Sequence, residues 1–201
     1  MAKKVSGGST KVKASQKPAA VELSLFQQLK MLIIKPADFF TQVAPEKSLG
    51  QTLLFDAVQS FVGLLPLALF YSFLFTFLSF GSLTVPLFVV GLPVITVLFN
   101  FIVAGVSHLI LKIAGAQGNY LDTYRAQIYS VFPSAVGMFF FIIGGGLLGF
   151  YSYYLQIVGF AKMHKISYLR AAAPLITYVV LGLIIAVFML SFFVAFVARS
   201  M

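Results

Sequence analysis

The chain contains no cysteine, and only five of its 201 residues are acidic. The first absence excludes disulfides, thiolate metal sites and cysteine nucleophiles. The second leaves few carboxylates from which acid–base pairs or metal sites are built. Glu22, Asp38, Glu46, Asp56 and Asp122 all read as lying at or beyond the edges of apolar runs. No HExxH pair, glycine-flanked serine nucleophile or folded nucleic-acid module is present. Neither metal, cofactor nor enzymatic activity is therefore expected. The Met1–Ala20 stretch is polar and has no apolar core, so no signal peptide is expected.

Apolar surface is what the chain has in excess. Hydrophobic residues make up 60% and charged residues 9%, against about 45–50% and about 25% in soluble domains. A soluble domain of this size leaves roughly a third of its unfolded surface wet, and this composition cannot supply that much polar cover. The fold class expected is all-α: a polytopic membrane bundle. The net charge of +9 is uneven, with Lys3, Lys4, Lys11, Lys13, Lys17, Lys30, Lys35 and Lys47 ahead of the first long apolar run. Such clusters favour the cytoplasmic side and anionic lipid, at about 1 kcal/mol per basic residue. Lys11, Lys13, Lys17, Lys30 and Lys35 are the expected lipid-surface contacts.

Three parts follow. Residues 1–21 read as a disordered basic tail. Residues 22–52 hold a short amphipathic helix, with Leu25, Leu29, Leu32 and Ile33 on one face, Ser24 as its cap and Pro36 after its end. About ten residues cannot span a bilayer, so this helix is expected to lie in the interface. Residues 53–201 form the membrane domain. No charge occurs from Ala57 to Leu111; as one helix that stretch measures roughly 80 Å, against a hydrocarbon core of about 30 Å. It must fold back, and Ser79-Phe80-Gly81-Ser82 marks the break. Asp122 is placed to cap the helix after the Lys112–Arg125 connection. Gly144-Gly145-Gly146 reads as a tight outer turn inside the uncharged run 126–161. Five spans result, near 54–78, 84–111, 124–143, 147–165 and 172–198. This count puts Lys112, Arg125, Lys162, Lys165 and Arg170 on the tail's side. The N-terminus is then cytoplasmic and the C-terminus outside.

Polar residues within spans mark candidate sites, because they are costly there. Asn100 and His108 share a face of the second span, Ser130 and Ser134 of the third, and Gln156 lies in the fourth. Small and hydroxyl residues at this spacing first suggest helix packing; a substrate path along the same faces is the sharper reading. His108 and His164 fall at similar depth near Asp122, and Asp122 and Arg125 are spaced to pair at the cytoplasmic face.

Ile33-Ile34-Lys35-Pro36-Ala37-Asp38-Phe39-Phe40 and the Glu46–Gly50 approach resemble the start of the domain in bacterial members of the Yip (Ypt-interacting-protein) family. So do Gly118 through Tyr129 with Pro133, Gly145-Gly146, Gln156-Ile157-Val158-Gly159-Phe160 through His164, and Arg170-Ala171. The resemblance runs over about residues 25–198. It implies a five-helix bundle with a cytoplasmic N-terminus, a bacterial inner-membrane location and a non-enzymatic role. Eukaryotic relatives are associated with Rab-type GTPases, through proteins with an acidic N-terminal region and an Asp-Leu-Tyr-Gly-Pro signature. Here the tail is basic and that signature is missing, so GTPase binding does not carry over.

The leading expectation is a non-enzymatic protein that organises membrane or partner proteins. The alternative is a small permease, channel or lipid-handling protein using the polar faces. An intramembrane enzyme centred on His108 and His164 ranks third. Anionic membrane lipids are the expected partners, with protein partners or self-association as further candidates, and nucleic acid is not expected.

Overall fold

The computed structural model describes residues 23–78, 85, 87–140 and 144–200. The tail with Lys11, Lys13 and Lys17, and the break at Ser79-Phe80-Gly81-Ser82, lie outside the described residues. Everything regular among the described residues is helical, without a strand.

Helix α1 (Leu25–Ile34) starts at a capping box. Ser24 Oγ accepts from the Gln27 amide at 3.3 Å, and the Ser24 amide donates to Gln27 Oε1 at 2.9 Å. Two amide donors that the helix leaves unpaired are thereby satisfied. Pro36 then opens a coil of short turns, Pro36–Asp38, Phe39–Val43 and Ala44–Glu46. Its missing N–H is harmless at a first helical position. The purpose of this coil is packing: Phe39 and Phe40 are fully buried, and Leu32 of α1 joins them. Phe39 meets Phe40 and Tyr129 edge-on, each with ring centroids 5.3 Å apart. Phe40 fits because position 159 is glycine; a Cβ there would stand 3.0 Å from the ring and 3.1 Å from Ala126 Cβ.

A second capping box, Ser48 with Gln51, starts α2 (Leu49–Phe77). That signal places the helix start ahead of the expected residue 54. After the turn Leu87–Gly91 come α3 (Leu92–Ile113), α4 (Tyr120–Phe139), α5 (Gly144–His164), the single turn α6 (Tyr168–Ala171) and α7 (Ala173–Ser200). Two expectations need correction. The cap of α4 is Asn119, and Asp122 is its reciprocal partner three residues on, accepting from the Asn119 amide at 2.9 Å. The three glycines form the first turn of α5 rather than a connecting turn. Glycine costs most in a helix interior, where its backbone freedom is lost, and less at a helix start, where the amide N–H groups have no intrahelical acceptor.

Helix α4 is the centre of the bundle, packed against α2, α3 and most extensively α5. Its stripe from Ala126 to Ser130 is wholly buried, so protein rather than lipid covers its polar side chains. That placement explains its modest apolarity. Among the described residues, three segments are long and apolar enough to cross a membrane: Leu49–Phe77, Leu87–Ile113 and Ala173–Arg199. The last is the plainest case. It touches the bundle at Pro174 and Tyr178, and every residue from Val179 to Arg199 is exposed. Phe188, Leu190 and Phe193 are each more than 60% exposed on an all-round apolar helix, a surface suited to hydrocarbon and not to water.

Candidate functional site

Asp56 sits on the second turn of α2 and is completely buried. Its Oδ1 accepts from Asn100 Nδ2 of α3 at 2.8 Å and from Ser60 Oγ at 3.3 Å. Its Oδ2 accepts from the Tyr124 hydroxyl of α4 at 2.8 Å. One carboxyl thus ties three helices. The geometry is held by rings: Tyr124 stacks on Phe101 at 4.4 Å between centroids, and Tyr120 lies nearly parallel to Tyr124 at 6.4 Å. Tyr120 in turn donates to the Phe101 carbonyl at 2.9 Å. Sequence reading put Asp56 at the hydrocarbon edge and missed this role. The available signal was Asp56 and Ser60 four apart on one face of an otherwise apolar helix.

A second cluster closes the end of the bundle where α3 stops and α5 stops. Both helices finish in left-handed caps, at Gly115 (φ 90°) and Lys165 (φ 54°). Ala116 N donates to Leu111 O at 2.9 Å and Ile166 N to Ala161 O at 3.1 Å. These caps satisfy carbonyls that would otherwise be orphaned. The two ends are joined by Gln117 N donating to the His164 carbonyl at 3.2 Å. Between them, Thr123 Oγ1 lies 2.8 Å from His108 Nδ1 and 2.9 Å from His164 Nε2. A hydroxyl carries a single proton. When that proton is donated to one imidazole, the other imidazole must donate to the oxygen, so the two tautomers are coupled. His164 Nδ1 is buried without a partner and faces Gly118. Asp122 and Arg125 pair at 3.2 Å, and Arg125 also donates to the Lys47 carbonyl. Their arrangement fastens the start of α2 to α4. No group of three or more metal-ligating side chains converges among the described residues.

The remaining predicted residues divide by role. Ser134 Oγ donates to Ser152 Oγ at 2.7 Å across the α4–α5 seam, and Ser130 Oγ donates to the Ala126 carbonyl on its own helix. Both are packing contacts. Asn100 and Gln156 instead reach a cleft of about 480 Å³ between α3, α4, α5 and α7, together with Gln127 and Tyr178. Ser107, next to His108 in sequence, turns away from it to bond Tyr178 at 2.8 Å. Lys30 and Lys35 are exposed on the α1 segment.

Comparison with known proteins rests on the family level. No curated protein and no solved structure matches the chain. The Yip1 domain profile matches residues 30–195, which takes in the Phe39–Phe40 coil, the Asp56 cluster and the His108–Thr123–His164 chain. With most of its length matched and with helices made to face hydrocarbon, this chain belongs to the Yip1 domain family of membrane proteins.

Proposed function

We propose that this chain is a non-enzymatic, five-span membrane protein whose N-terminal segment, on the cytoplasmic side, engages anionic lipid and so organises bilayer or partner proteins at that surface. The observation carrying this reading is the split character of α1. Leu32 is locked into the bundle, and the Tyr151 hydroxyl donates to the Ile33 carbonyl, yet Leu25, Phe26 and Ile34 are each more than 60% exposed. A rigidly docked helix thus keeps an apolar edge outward beside Lys30 and Lys35. This is the composition of an interfacial helix, and the basic tail precedes it. Neither polar cluster among the described residues presents a nucleophile with an oriented base.

The five-span count is supported by length. Helices α4 and α5 have 20 and 21 residues, about 30 Å each, which matches a hydrocarbon core of about 30 Å. Because the chain lacks cysteine, single cysteines report topology directly. Ser24→Cys and Ser167→Cys are expected to be labelled by an impermeant maleimide from the cytoplasmic side, and Leu147→Cys from the opposite side. Labelling of Leu147→Cys and Ser167→Cys on one side would refute the count.

The chain also lacks tryptophan, so Phe26→Trp supplies one fluorophore at the edge of α1. In nanodiscs its emission should be blue-shifted and quenched by brominated phosphatidylglycerol. Adding Lys30→Glu and Lys35→Glu should weaken the quenching, with a loss of about 1 kcal/mol per basic residue in anionic lipid. A water-like, unquenched emission would overturn the lipid-contact reading.

A further inference from the structure

The cleft between α3, α4, α5 and α7 differs in kind from the other large groove of the bundle. That groove, about 490 Å³ between α2 and α3, is walled by side chains such as Val58, Phe61, Val94 and Leu98 and offers no polar side chain. It suits an acyl chain of any lipid. The α3–α7 cleft has comparable volume, and its lining includes Asn100, Gln127, Gln156 and Tyr178 among Val103 and Val131. Gln127 lies seven residues past the start of α4 and Gln156 eight before the end of α5, about 10–12 Å along each axis, so this polar patch lies within the membrane toward the end of the bundle where α3 and α5 stop.

Two of those amides are left wanting. Gln127 is 3% exposed; its Nε2 donates to the Asn100 carbonyl at 3.3 Å, which fixes the other terminal atom as oxygen, and that Oε1 has no partner. Gln156 is 8% exposed, and its side chain makes no hydrogen bond among the described residues. Buried polar groups in a lipid-surrounded bundle are ordinarily satisfied. An acyl chain filling the cleft would satisfy neither. The lining contains no carboxylate, lysine, arginine or histidine, so a charged headgroup would find no counter-charge and would be disfavoured by desolvation. A hydroxyl on an apolar body meets the accessible one of the two, donating to or accepting from the Gln156 amide, whereas Gln127 Oε1 is itself sealed from the cleft. The rim explains access, since Phe99, Tyr153 and Val179 are each more than half exposed and open sideways toward lipid. The volume lies within the range of small-molecule sites.

We infer that this cleft is a binding site for a neutral, hydroxyl-bearing lipid that enters laterally from the bilayer, with Gln156 reading the hydroxyl. The site is separate from α1 and stands whether or not α1 touches anionic lipid.

The test uses the full chain in phosphatidylcholine nanodiscs. One preparation carries a diacylglycerol with a photoreactive diazirine in its acyl chain near the glycerol, and another carries phosphatidic acid with the same chain. The diacylglycerol probe should label peptides around Phe99–Val103, Tyr153–Gln156 and Leu175–Val179. Excess unlabelled diacylglycerol should reduce that labelling by about tenfold, whereas phosphatidic acid should not compete. Gln156→Leu removes the hydroxyl's partner without breaking any existing bond, and should reduce the labelling by about fivefold or more. Val103→Phe, which fills the cleft and leaves every amide in place, should do the same. Equal labelling by both probes, or labelling unchanged in both variants, would show annular lipid and overturn the site. Competition in the parent chain decides the matter even if one variant fails to fold.

Discussion

Asp56→Ala is expected to lower the stability of the bundle by about 3–5 kcal/mol, among the largest effects of any single truncation in this chain. The reasoning begins with the count of donors. Asn100 Nδ2, Ser60 Oγ and the Tyr124 hydroxyl all end on the two oxygens of one carboxyl, which is completely buried. Alanine removes every acceptor at once and leaves three donors in a site walled by Phe101 and Tyr120. Each unsatisfied buried group costs about 1–3 kcal/mol, and lipid outside offers no replacement partner. Asp56→Asn keeps one oxygen and loses less, about 1–2 kcal/mol. Ser60→Ala loses least, since Asp56 keeps two other donors. Detergent-denaturation midpoints should rank the variants in that order. An alanine variant as stable as the parent would mean that the three helices are held by packing alone. The substitution also reaches the cleft, because Asn100 both donates to Asp56 and lines that cavity; labelling by the diacylglycerol probe should fall in Asp56→Ala as well.

The readable part of this molecule was the part facing lipid. Long uncharged runs and the Ser24 cap signalled helices and their approximate ends, because hydrocarbon imposes length and apolarity on whatever it touches. The inward face follows different rules. Helix α4 carries Thr123, Gln127, Ser130 and Ser134 and sits at the centre, so the polar pattern that lowers its apolarity is the consequence of being enclosed. Asn100, His108, Ser134, Gln156 and His164 were picked out as polar residues in apolar helices, but sequence could not assign their partners. Asn100 meets Asp56 across 44 positions of chain and Thr123 meets His164 across 41. Periodicity places residues on a face and says nothing of which face it meets. Asp56 was misjudged for a related reason: a first span placed near 54–78 left it at an edge, whereas α2 starts at Leu49 and carries it into the interior. The cap at Asn119 was misread by one turn because Asp122 has the chemistry of a cap and supplies the returning half of the same box.

The His108–Thr123–His164 chain yields a second strong expectation, through a residue with no side chain. At Gly118 a Cβ would lie 2.4 Å from His164 Nδ1, 2.8 Å from its Cε1 and 3.1 Å from Asp122 Oδ2. Contacts that short cannot persist, so either the ring or the loop must move. The ring has little room: His164 is fully buried, its Nε2 is bonded to Thr123 and its edge meets Phe160 at 6.4 Å between centroids. The loop is also tethered, by Gln117 N on the His164 carbonyl and by the Asn119–Asp122 box. Gly118→Ala should therefore cost about 1–3 kcal/mol through overpacking. Because Gly118 is not in the left-handed region, this cost is steric and belongs to the contact with the ring. Removing the ring should abolish it. In a His164→Ala background, adding Gly118→Ala should be nearly neutral, giving a coupling of about 1 kcal/mol or more in a double-mutant cycle. Strictly additive effects would locate the strain in the loop backbone and rule out the contact with the His164 ring as its source.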